Sequence, residues 1–513
     1  MRPLLLAALL APCAAAAQPA PADRADRAAR LDSVFHALHA DGLFSGAFAI
    51  GGPDGHVAYE IAVGASEGDA VRTDAPYYLA SVSKAMNAAA ALSLAAEGRL
   101  DLDAPVGRHL DPWPYDGVTV RHLMDQTAGL HWLGMLNAHR DTTRALDSAG
   151  LLALVDQHRP APMNAPGEAF RYSNAHFAAL ALVLEAVTGR SYGDVLRERV
   201  FAPAGMESAR VGPSGEADGM AYPGGDGLGV HASVRDLVAF DHAFWSGRLV
   251  PDSLVRAATR PPVLADGSRS RYVFGRFVET DPRPLIGHFG EGTETKTALY
   301  REQDGHAAYA MIATEQGIHR TPVLVAAMAA WNGEGFTLPQ PRPVADVPEA
   351  VLKRHVGVYA SGMGRLHITL EDGGLHLEPE GAGGSEPLVP ASETVFYFGG
   401  QDLTWEFVRD DAGRTPGARR GSCSRVSRRR SRCASGRAHR NLSATRPRPP
   451  LASLRCAPPP APHSSPTTSS SAQRGASRSS ATQRGCGCST RCARTASRRC
   501  RSWWRPSGSG SRA

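Results

Sequence analysis

The sequence predicts an α+β protein: an α/β sandwich in which helices flank an antiparallel sheet, followed by a small antiparallel β domain and a disordered tail. Three observations support this fold class. Strand-like segments stand near both ends of residues 29–334, helical periodicity dominates the stretch between them, and short alternating segments follow a Pro-rich linker. The middle stretch is therefore expected to be a helical subdomain inserted into the sheet region.

The first third of the chain predicts a helix, a hairpin and a second helix. A helical segment is expected around Arg27–Ala40. Phe44–Ile50 and His56–Val63 are largely apolar and flank a Gly-Gly-Pro-Asp-Gly turn, a pattern typical of a β-hairpin. The alanine-rich run over residues 81–97 is expected to be helical and to end at the glycine that follows it.

The remaining elements bring the chain back to the sheet. The loop Gln126–Leu130 is expected to support the fold rather than to take part in catalysis. The predicted elements after it are a helix at Phe177–Val187, strands at Arg271–Gly275, Leu285–Gly290, Lys296–Arg301 and Ala307–Thr314, and a closing helix at Pro322–Trp331. Residues 335–348 form the Pro-rich linker, and residues 349–411 the small β domain.

The N-terminus has the three parts of a secretory signal. Arg2 precedes the apolar run Leu4–Leu10, which is followed by a run of small residues, so residues 1–17 are expected to be a signal peptide. The apolar run is too short to span a bilayer, and no transmembrane segment is expected elsewhere. A lipoprotein anchored at Cys13 is less favoured, because a proline directly precedes that cysteine. The expected location is periplasmic or secreted.

The end of the chain differs sharply in composition from the rest. All 50 acidic residues lie before residue 412, while 23 of the 56 lysines and arginines and seven of the eight cysteines lie beyond it. Residues 1–411 therefore carry a net charge of −17, which argues against a nucleic-acid-binding protein. Residues 412–513, rich in Arg, Ser, Pro and Cys, cannot bury a core and are expected to be disordered. We interpret this shift as a coding sequence read out of frame; an intact frame on resequencing would contradict that interpretation.

The motif that carries chemistry is Ser81-Val82-Ser83-Lys84, at the start of the alanine-rich run. Positions three residues apart lie on one face of a helix, so the Ser81 hydroxyl and the Lys84 amine are expected to be neighbours. The lysine is informative because the chain has only three lysines among its 56 basic residues. A lysine side chain can serve as a base where its surroundings disfavour the ammonium form, whereas arginine cannot. The pattern therefore indicates a serine nucleophile activated by lysine.

Two further motifs follow in order, Tyr172-Ser173-Asn174 before the apolar helix and His288-Phe289-Gly290 on a predicted strand. With all three motifs, residues 29–334 resemble the serine β-lactamase and penicillin-binding protein family, in its branch of class C β-lactamases, D-alanyl-D-alanine carboxypeptidases and esterases. The resemblance implies an acyl-enzyme mechanism without a cofactor or metal. It also implies roles for seven residues: catalysis by Ser81, Lys84 and Tyr172, and substrate binding by Asn174, His288, Gly290 and Glu291, with the backbone N–H groups of Ser81 and Glu291 forming the oxyanion hole.

Two departures from the family pattern bear on the substrate. Lys-Thr-Gly is absent, with His288 in place of the lysine, and Glu291 and Glu294 are expected to make the pocket wall acidic. Both features weaken recognition of a substrate carboxylate, so strong β-lactamase activity is not expected. The imidazole of His288 is expected to titrate within the working pH range.

The expected function is therefore a serine hydrolase that cleaves an ester or amide (peptide) bond in a small-molecule or peptide substrate; the sequence leaves the oligomeric state open. Two alternatives remain: a penicillin-binding sensor that is acylated at Ser81 without turnover, and a true class C-like β-lactamase. Residues 349–411 resemble an incomplete copy of the lipocalin-like domain that often follows such a hydrolase. They contain His355, His367 and His376, but no metal is expected, because no cysteine or carboxylate cluster accompanies these histidines.

Overall fold

The protein is described by a computed structural model that covers residues 21–66, 68–131, 139, 146–213, 228–280, 283–292, 295–314, 320–361, 364–379, 385–398, 403–408 and 417–422. The predicted signal peptide and residues 423–513 of the predicted tail lie outside these ranges, as does Glu294. Within them, two antiparallel seven-stranded sheets follow one another along the chain, and helices cover both faces of the first. The predicted α+β class is confirmed.

The helices are α1 (Pro21–Ala40), α2 (Ser83–Ala96), α3 (Val120–Met124), α4 (Ser148–His158), α5 (Asn174–Thr188), α6 (Tyr192–Leu196), α7 (Ala202–Ala204), α8 (Val234–Trp245), α9 (Asp252–Ala257), α10 (Arg320–Trp331) and α11 (Glu349–Leu352). The strands of the N-terminal part are β1 (Gly46–Gly51), β2 (Val57–Val63), β3 (Ala65–Ser66), β4 (Asp69–Ala70), β5 (Tyr77–Tyr78), β6 (Arg210–Pro213), β7 (Leu228–Ala232), β8 (Tyr272–Val273), β9 (Arg276–Glu279), β10 (Leu285–Glu291), β11 (Lys296–Glu302) and β12 (Ala308–Ala313). Those of the C-terminal part are β13 (Gly357–Ser361), β14 (Gly364–Glu371), β15 (Gly374–Pro379), β16 (Glu386–Pro390), β17 (Val395–Phe398), β18 (Leu403–Val408) and β19 (Gly417–Ser422).

The first sheet separates two apolar cores. Its strand order is β2-β1-β12-β11-β10-β9-β8, which places the predicted hairpin beside the last strand of the domain. Because side chains alternate along a strand, Ala47 and Ala49 of β1 face the core formed with α2, α5 and α8, while Phe48 and Ile50 face the core formed with α1 and α10. Strands β1 and β12 are consequently buried along their whole length.

The helical stretch between β5 and β8 contains one feature that the sequence did not predict. Strands β5, β7 and β6 form a small three-stranded sheet, and β5 leads the chain directly into the Ser81 turn. Strands of two to five residues carry too little alternation to be recognised from sequence. Helices α2 and α5 pack against each other through buried alanines, which allow their backbones to approach closely.

The C-terminal domain is a meander, because each strand from β13 to β19 pairs with the next. Its core consists of alternate residues of these strands, including Leu366, Ile368, Leu375 and Leu377. It extends beyond residue 411, the predicted end of the domain, because β19 pairs along the whole of β18. The sequence pattern did not predict β19. Its pairing satisfies backbone N–H and C=O groups of β18 that would otherwise be exposed at the edge of the sheet.

No helix among the described residues is both long and apolar enough to cross a bilayer.

Candidate active site

The Ser81 turn is held in a defined, strained conformation. Ser81 was predicted at the start of an α-helix, but Ala80–Val82 form a 3-10 turn and α2 begins at Ser83. Ala80 has φ of 47°, in the left-handed region that residues with a Cβ seldom adopt. Strand β11 and the residue before it secure this backbone, since Thr295 Oγ1 donates to the Tyr78 carbonyl at 2.6 Å and Thr297 Oγ1 to the Leu79 carbonyl at 2.7 Å. A strained backbone conformation of this kind persists only where surrounding contacts hold it in place, and it is typical of functional sites.

The three residues predicted to be catalytic meet at one oxygen atom. Lys84 Nζ donates a hydrogen bond to Ser81 Oγ at 2.8 Å, and Tyr172 Oη donates another at 2.9 Å. A hydroxyl oxygen has two lone pairs and can accept both. Lys84 is buried, whereas Tyr172 is 40% exposed and lies at the solvent side of the site. The arrangement joins a nucleophilic hydroxyl to two groups that can move protons.

Aromatic rings surround the Lys84 amine. Its Nζ lies 5.2 Å from the ring centroid of Tyr172 and 5.9 Å from that of Phe177. Tyr172 in turn stacks on Phe277 with a centroid distance of 6.1 Å. The rings enclose the lysine, and among the described residues Lys84 makes no ion pair with a carboxylate.

Tyr172 and Asn174 are positioned by buried polar contacts of the Gln126 loop. The Gln126 side-chain carbonyl accepts from the backbone N–H of Ser173 at 2.8 Å and also from Nδ1 of His176. His176 Nε2 accepts from the backbone N–H of Leu130 at 3.1 Å, so this imidazole is neutral. Burial lowers the pKa of His176 to about 3. The loop thus has the supporting role that was predicted for it, and Asn174 is the first residue of α5.

The strand β10 brings the third motif against the Ser81 turn. Gly290 is required there, because a Cβ at this position would lie 2.3 Å from the Leu79 carbonyl oxygen and 2.1 Å from Thr297 Oγ1. This close approach places Gly290 against the turn that carries Ser81. Among the described residues, β9 pairs with β10 only through Leu285–Gly287. In the part of the chain that the structure describes, no strand pairs with residues 288–291 on that side, where an extended substrate can bind.

His288 differs from its prediction. It is 3% exposed and packs between the rings of Tyr172, Tyr272 and Phe277. Burial, and next the positive charge of Lys84, lower its pKa to about 3. Its Nδ1 contacts the Phe289 carbonyl, which can only accept, so the proton is on Nδ1. His288 is consequently neutral through the working pH range, and the expectation that it titrates there was wrong.

Glu291 does not make the pocket wall acidic, which corrects a second expectation. Its two carboxylate oxygens contact Lys296 Nζ and Arg320 Nη2, the latter at 2.6 Å. Both cations are almost completely buried, Lys296 at 2% and Arg320 at 6% exposure. The contact with Arg320 could not be predicted from the sequence, because Arg320 follows Glu291 by 29 residues and nothing in their spacing indicates contact.

The described residues contain one set of side chains close enough to share a metal ion, and it lies away from Ser81. Glu302, Asp304 and His306 meet at the turn between β11 and β12, at the opposite end of β11 from Thr295. Glu302 already accepts a hydrogen bond from Tyr309 at 3.0 Å. Glu302 is buried while Asp304 and His306 are exposed, and none of the three contacts Ser81, Lys84 or Tyr172.

A nucleophilic serine, a buried lysine and a tyrosine at the edge of a helix-covered antiparallel sheet define a serine hydrolase of the β-lactamase and penicillin-binding protein class. Comparison with known proteins agrees: the family model described as Beta-lactamase matches residues 31–344. The chain belongs to this family.

Relatives within the family include peptidases and penicillin-binding proteins. A penicillin-binding protein of Bacillus subtilis (strain 168) is 26% identical over 432 residues, which cover 75% of this chain and 95% of that protein. A D-aminopeptidase of Brucella canis is 31% identical over 239 residues, covering 41% of this chain but only 44% of that protein. The chain thus spans less than half of the D-aminopeptidase.

Solved structures share the fold. The D-amino acid amidase from Ochrobactrum anthropi SV3, complexed with D-phenylalanine, matches with a TM-score of 0.50 and 19% identity, over 60% of this chain and 100% of that one. A penicillin-binding protein from Bacillus halodurans matches with a TM-score of 0.50 and 18% identity, over 58% and 98% of the two chains.

A pH prediction follows from the two buried histidines. His176 and His288 have a pKa of about 3 when folded, against 6.5 as the ordinary value, so the unfolded chain binds protons that the folded chain does not. The contribution of these two histidines to stability is therefore fully present above pH 6.5 and falls as the pH drops toward 3, by about 1.4 kcal/mol per pH unit for each histidine. Urea unfolding at several pH values measures this slope.

His288→Gln should remove the contribution of one histidine to that slope, whatever its effect on stability at pH 7. A matched control is His306→Gln, which makes the same substitution at an exposed histidine outside both cores. An unchanged slope in His288→Gln would show that His288 is not held neutral.

Proposed function

We propose that this protein is a periplasmic or secreted serine hydrolase that cleaves an ester or amide (peptide) bond through an acyl-enzyme on Ser81. The observation that carries the proposal is the convergence of Lys84 Nζ and Tyr172 Oη on Ser81 Oγ, at 2.8 and 2.9 Å. Both distances are those of direct hydrogen bonds, across which a proton can pass without movement of the backbone.

In the acylation step, unprotonated Lys84 takes the proton of the Ser81 hydroxyl as Oγ attacks the substrate carbonyl. The carbonyl oxygen becomes an oxyanion, which the backbone N–H groups of Ser81 and Glu291 stabilise. The proton then passes through the phenol of Tyr172 to the leaving alcohol or amine, and the bond to the leaving group breaks. Water attacks the resulting ester by the reverse sequence of proton transfers, releases the acid and restores Ser81.

We assign the substrate to the esters, amides and short peptides of D-amino acids. The D-aminopeptidase relative, 31% identical over the shared hydrolase region, supports this class. The side of residues 288–291 on which no described strand pairs supports an extended substrate, whose backbone can pair with these residues. Asn174 would hold the substrate amide. A neutral His288 supplies no positive charge for the carboxylate of a β-lactam, so β-lactams are the less favoured substrates.

The experiment is a hydrolysis panel on the purified full chain: short-chain p-nitrophenyl esters, p-nitroanilides of D- and L-amino acids, and nitrocefin. We expect turnover of the esters, a preference of at least about tenfold in kcat/KM for D- over L-anilides, which corresponds to ~1.4 kcal/mol, and little nitrocefin hydrolysis. Equal rates on both enantiomers would contradict the substrate assignment. A stoichiometric burst of acylation without turnover would instead favour the penicillin-binding sensor.

The proposed location rests on the predicted signal segment at residues 1–17. Expression in a Gram-negative host with fractionation and N-terminal sequencing tests it. We expect mature protein in the periplasm that starts near residue 18; full-length protein retained in the cytoplasm would contradict the location.

A further inference from the structure

Arg320 contacts three consecutive residues of the strand that carries the proposed oxyanion donor. It is the first residue of α10 and is 6% exposed. Its Nη1 donates to the Gly290 carbonyl oxygen at 2.5 Å, and its Nη2 donates to Glu291 Oε2 at 2.6 Å. Its guanidinium carbon lies 5.2 Å from the ring centroid of Phe289. The Arg320 side chain thus holds the C-terminal end of β10 in place.

The contact at Gly290 acts on the proposed oxyanion donor itself. The carbonyl of Gly290 and the N–H of Glu291 belong to the same peptide group, which is planar, with its C=O and N–H pointing in opposite directions. A hydrogen bond that fixes the direction of the oxygen therefore fixes the direction of the N–H. A cationic donor on the oxygen also polarises the peptide group, so that its N–H becomes a stronger hydrogen-bond donor.

The contact at Glu291 keeps the guanidinium in place. Burying an arginine is costly unless the charge is paired, and the Glu291 carboxylate supplies that pairing. Lys296 contacts the other carboxylate oxygen of Glu291. The guanidinium charge has the sign that stabilises a forming oxyanion. Only a guanidinium has donors in a fixed fork that can serve a carbonyl and a carboxylate together.

We propose that Arg320 is a positioning residue that aims and polarises the Glu291 N–H of the oxyanion hole. The inference rests on the proposed function, specifically on Glu291 N–H as an oxyanion donor. It predicts that Arg320 contributes to transition-state stabilisation although it does not touch the substrate.

The test compares an oxoester with the matched thionoester, whose sulfur is a weak acceptor and gains little from an oxyanion hole. In Arg320→Gln, kcat/KM for the oxoester should fall by roughly 10- to 100-fold, mainly through kcat, since losing one oxyanion-hole donor outright costs about 10²- to 10³-fold. The thionoester rate should change much less, so the ratio of the two rates falls. This ratio is measured on one preparation and does not depend on the fraction that is folded. For Arg320→Lys, the ratio of the oxoester rate to the thionoester rate should lie between the ratios of wild type and Arg320→Gln.

Arg283→Gln is the matched control. Arg283 also pairs with two glutamates, at 3.1 and 2.5 Å, but lies near the opposite end of β10. It should lose stability without changing the oxoester-to-thionoester ratio. A wild-type ratio in both Arg320 variants would overturn the inference and show a merely structural ion pair. Failure of the proposed function is distinguishable, because Ser81→Ala would then retain ester hydrolysis whatever the Arg320 variants do.

Discussion

Ser81→Ala should lower kcat for ester hydrolysis by roughly four to six orders of magnitude, because it removes the atom that forms the acyl-enzyme. The change should leave the fold intact, since the hydrogen bonds of Ser81 Oγ go to Lys84 and Tyr172 alone among the described residues. Steady-state kinetics with a p-nitrophenyl ester measure the loss, and a fluorophosphonate probe should no longer label the protein.

Ser93→Ala is the matched control for that variant. Ser93 lies on helix α2, which follows the Ser81 turn; it is buried, and its hydroxyl donates to the Ala90 carbonyl at 2.8 Å rather than facing the site. It should be labelled like wild type. If Ser81→Ala kept more than about 1% of wild-type kcat, the nucleophile would have to be another residue.

Lys84→Arg should be almost as inactive as Lys84→Met, with kcat/KM reduced by about 10³-fold or more, or ~4 kcal/mol of barrier. Arginine keeps the positive charge and can donate to Ser81 Oγ, but it cannot take up a proton. The comparison of the two variants therefore separates base catalysis from electrostatic stabilisation. The pre-steady-state acylation rate is the direct readout, because the proton must leave Ser81 in that step.

Lys353→Arg provides the control for the substitution itself. Lys353 is an exposed lysine that pairs with Glu349 at 2.6 Å, an interaction in which arginine serves as well. Its activity should equal that of wild type. If Lys84→Arg kept more than about a tenth of wild-type activity, base catalysis by Lys84 would lower the activation free energy by less than ~1.4 kcal/mol. Lys84 would then act only through its charge.

Local sequence patterns predicted the parts of the site that neighbours in the chain define. The spacing of Ser81 and Lys84 put both side chains together, and the strands at 285–290 and 296–301 were placed to within a residue or two of β10 and β11. Tyr172 could be assigned only through resemblance, because it contacts Ser81 across 91 positions of the chain. Contacts at such separation leave no periodic trace in a single sequence.

What the sequence could not indicate depends on tertiary contacts. The left-handed Ala80 turn is held by Thr295 and Thr297, which lie more than 200 residues away in the chain. Burial among rings from three other elements lowers the pKa of His288. The sequence does not show this burial, so an imidazole with an ordinary pKa was expected. Glu291 carries a negative charge in the sequence, but Lys296 and Arg320 balance it in the fold.

The central claim, that Ser81 carries the acyl group, is tested most directly by mass spectrometry of the full chain after incubation with a slowly released D-amino-acid ester or with benzylpenicillin, followed by peptide mapping. The account predicts one adduct per chain, located on the peptide that contains Ser81 and Lys84, and no adduct in Ser81→Ala. An adduct on any other residue, or one that persists in Ser81→Ala, would contradict it.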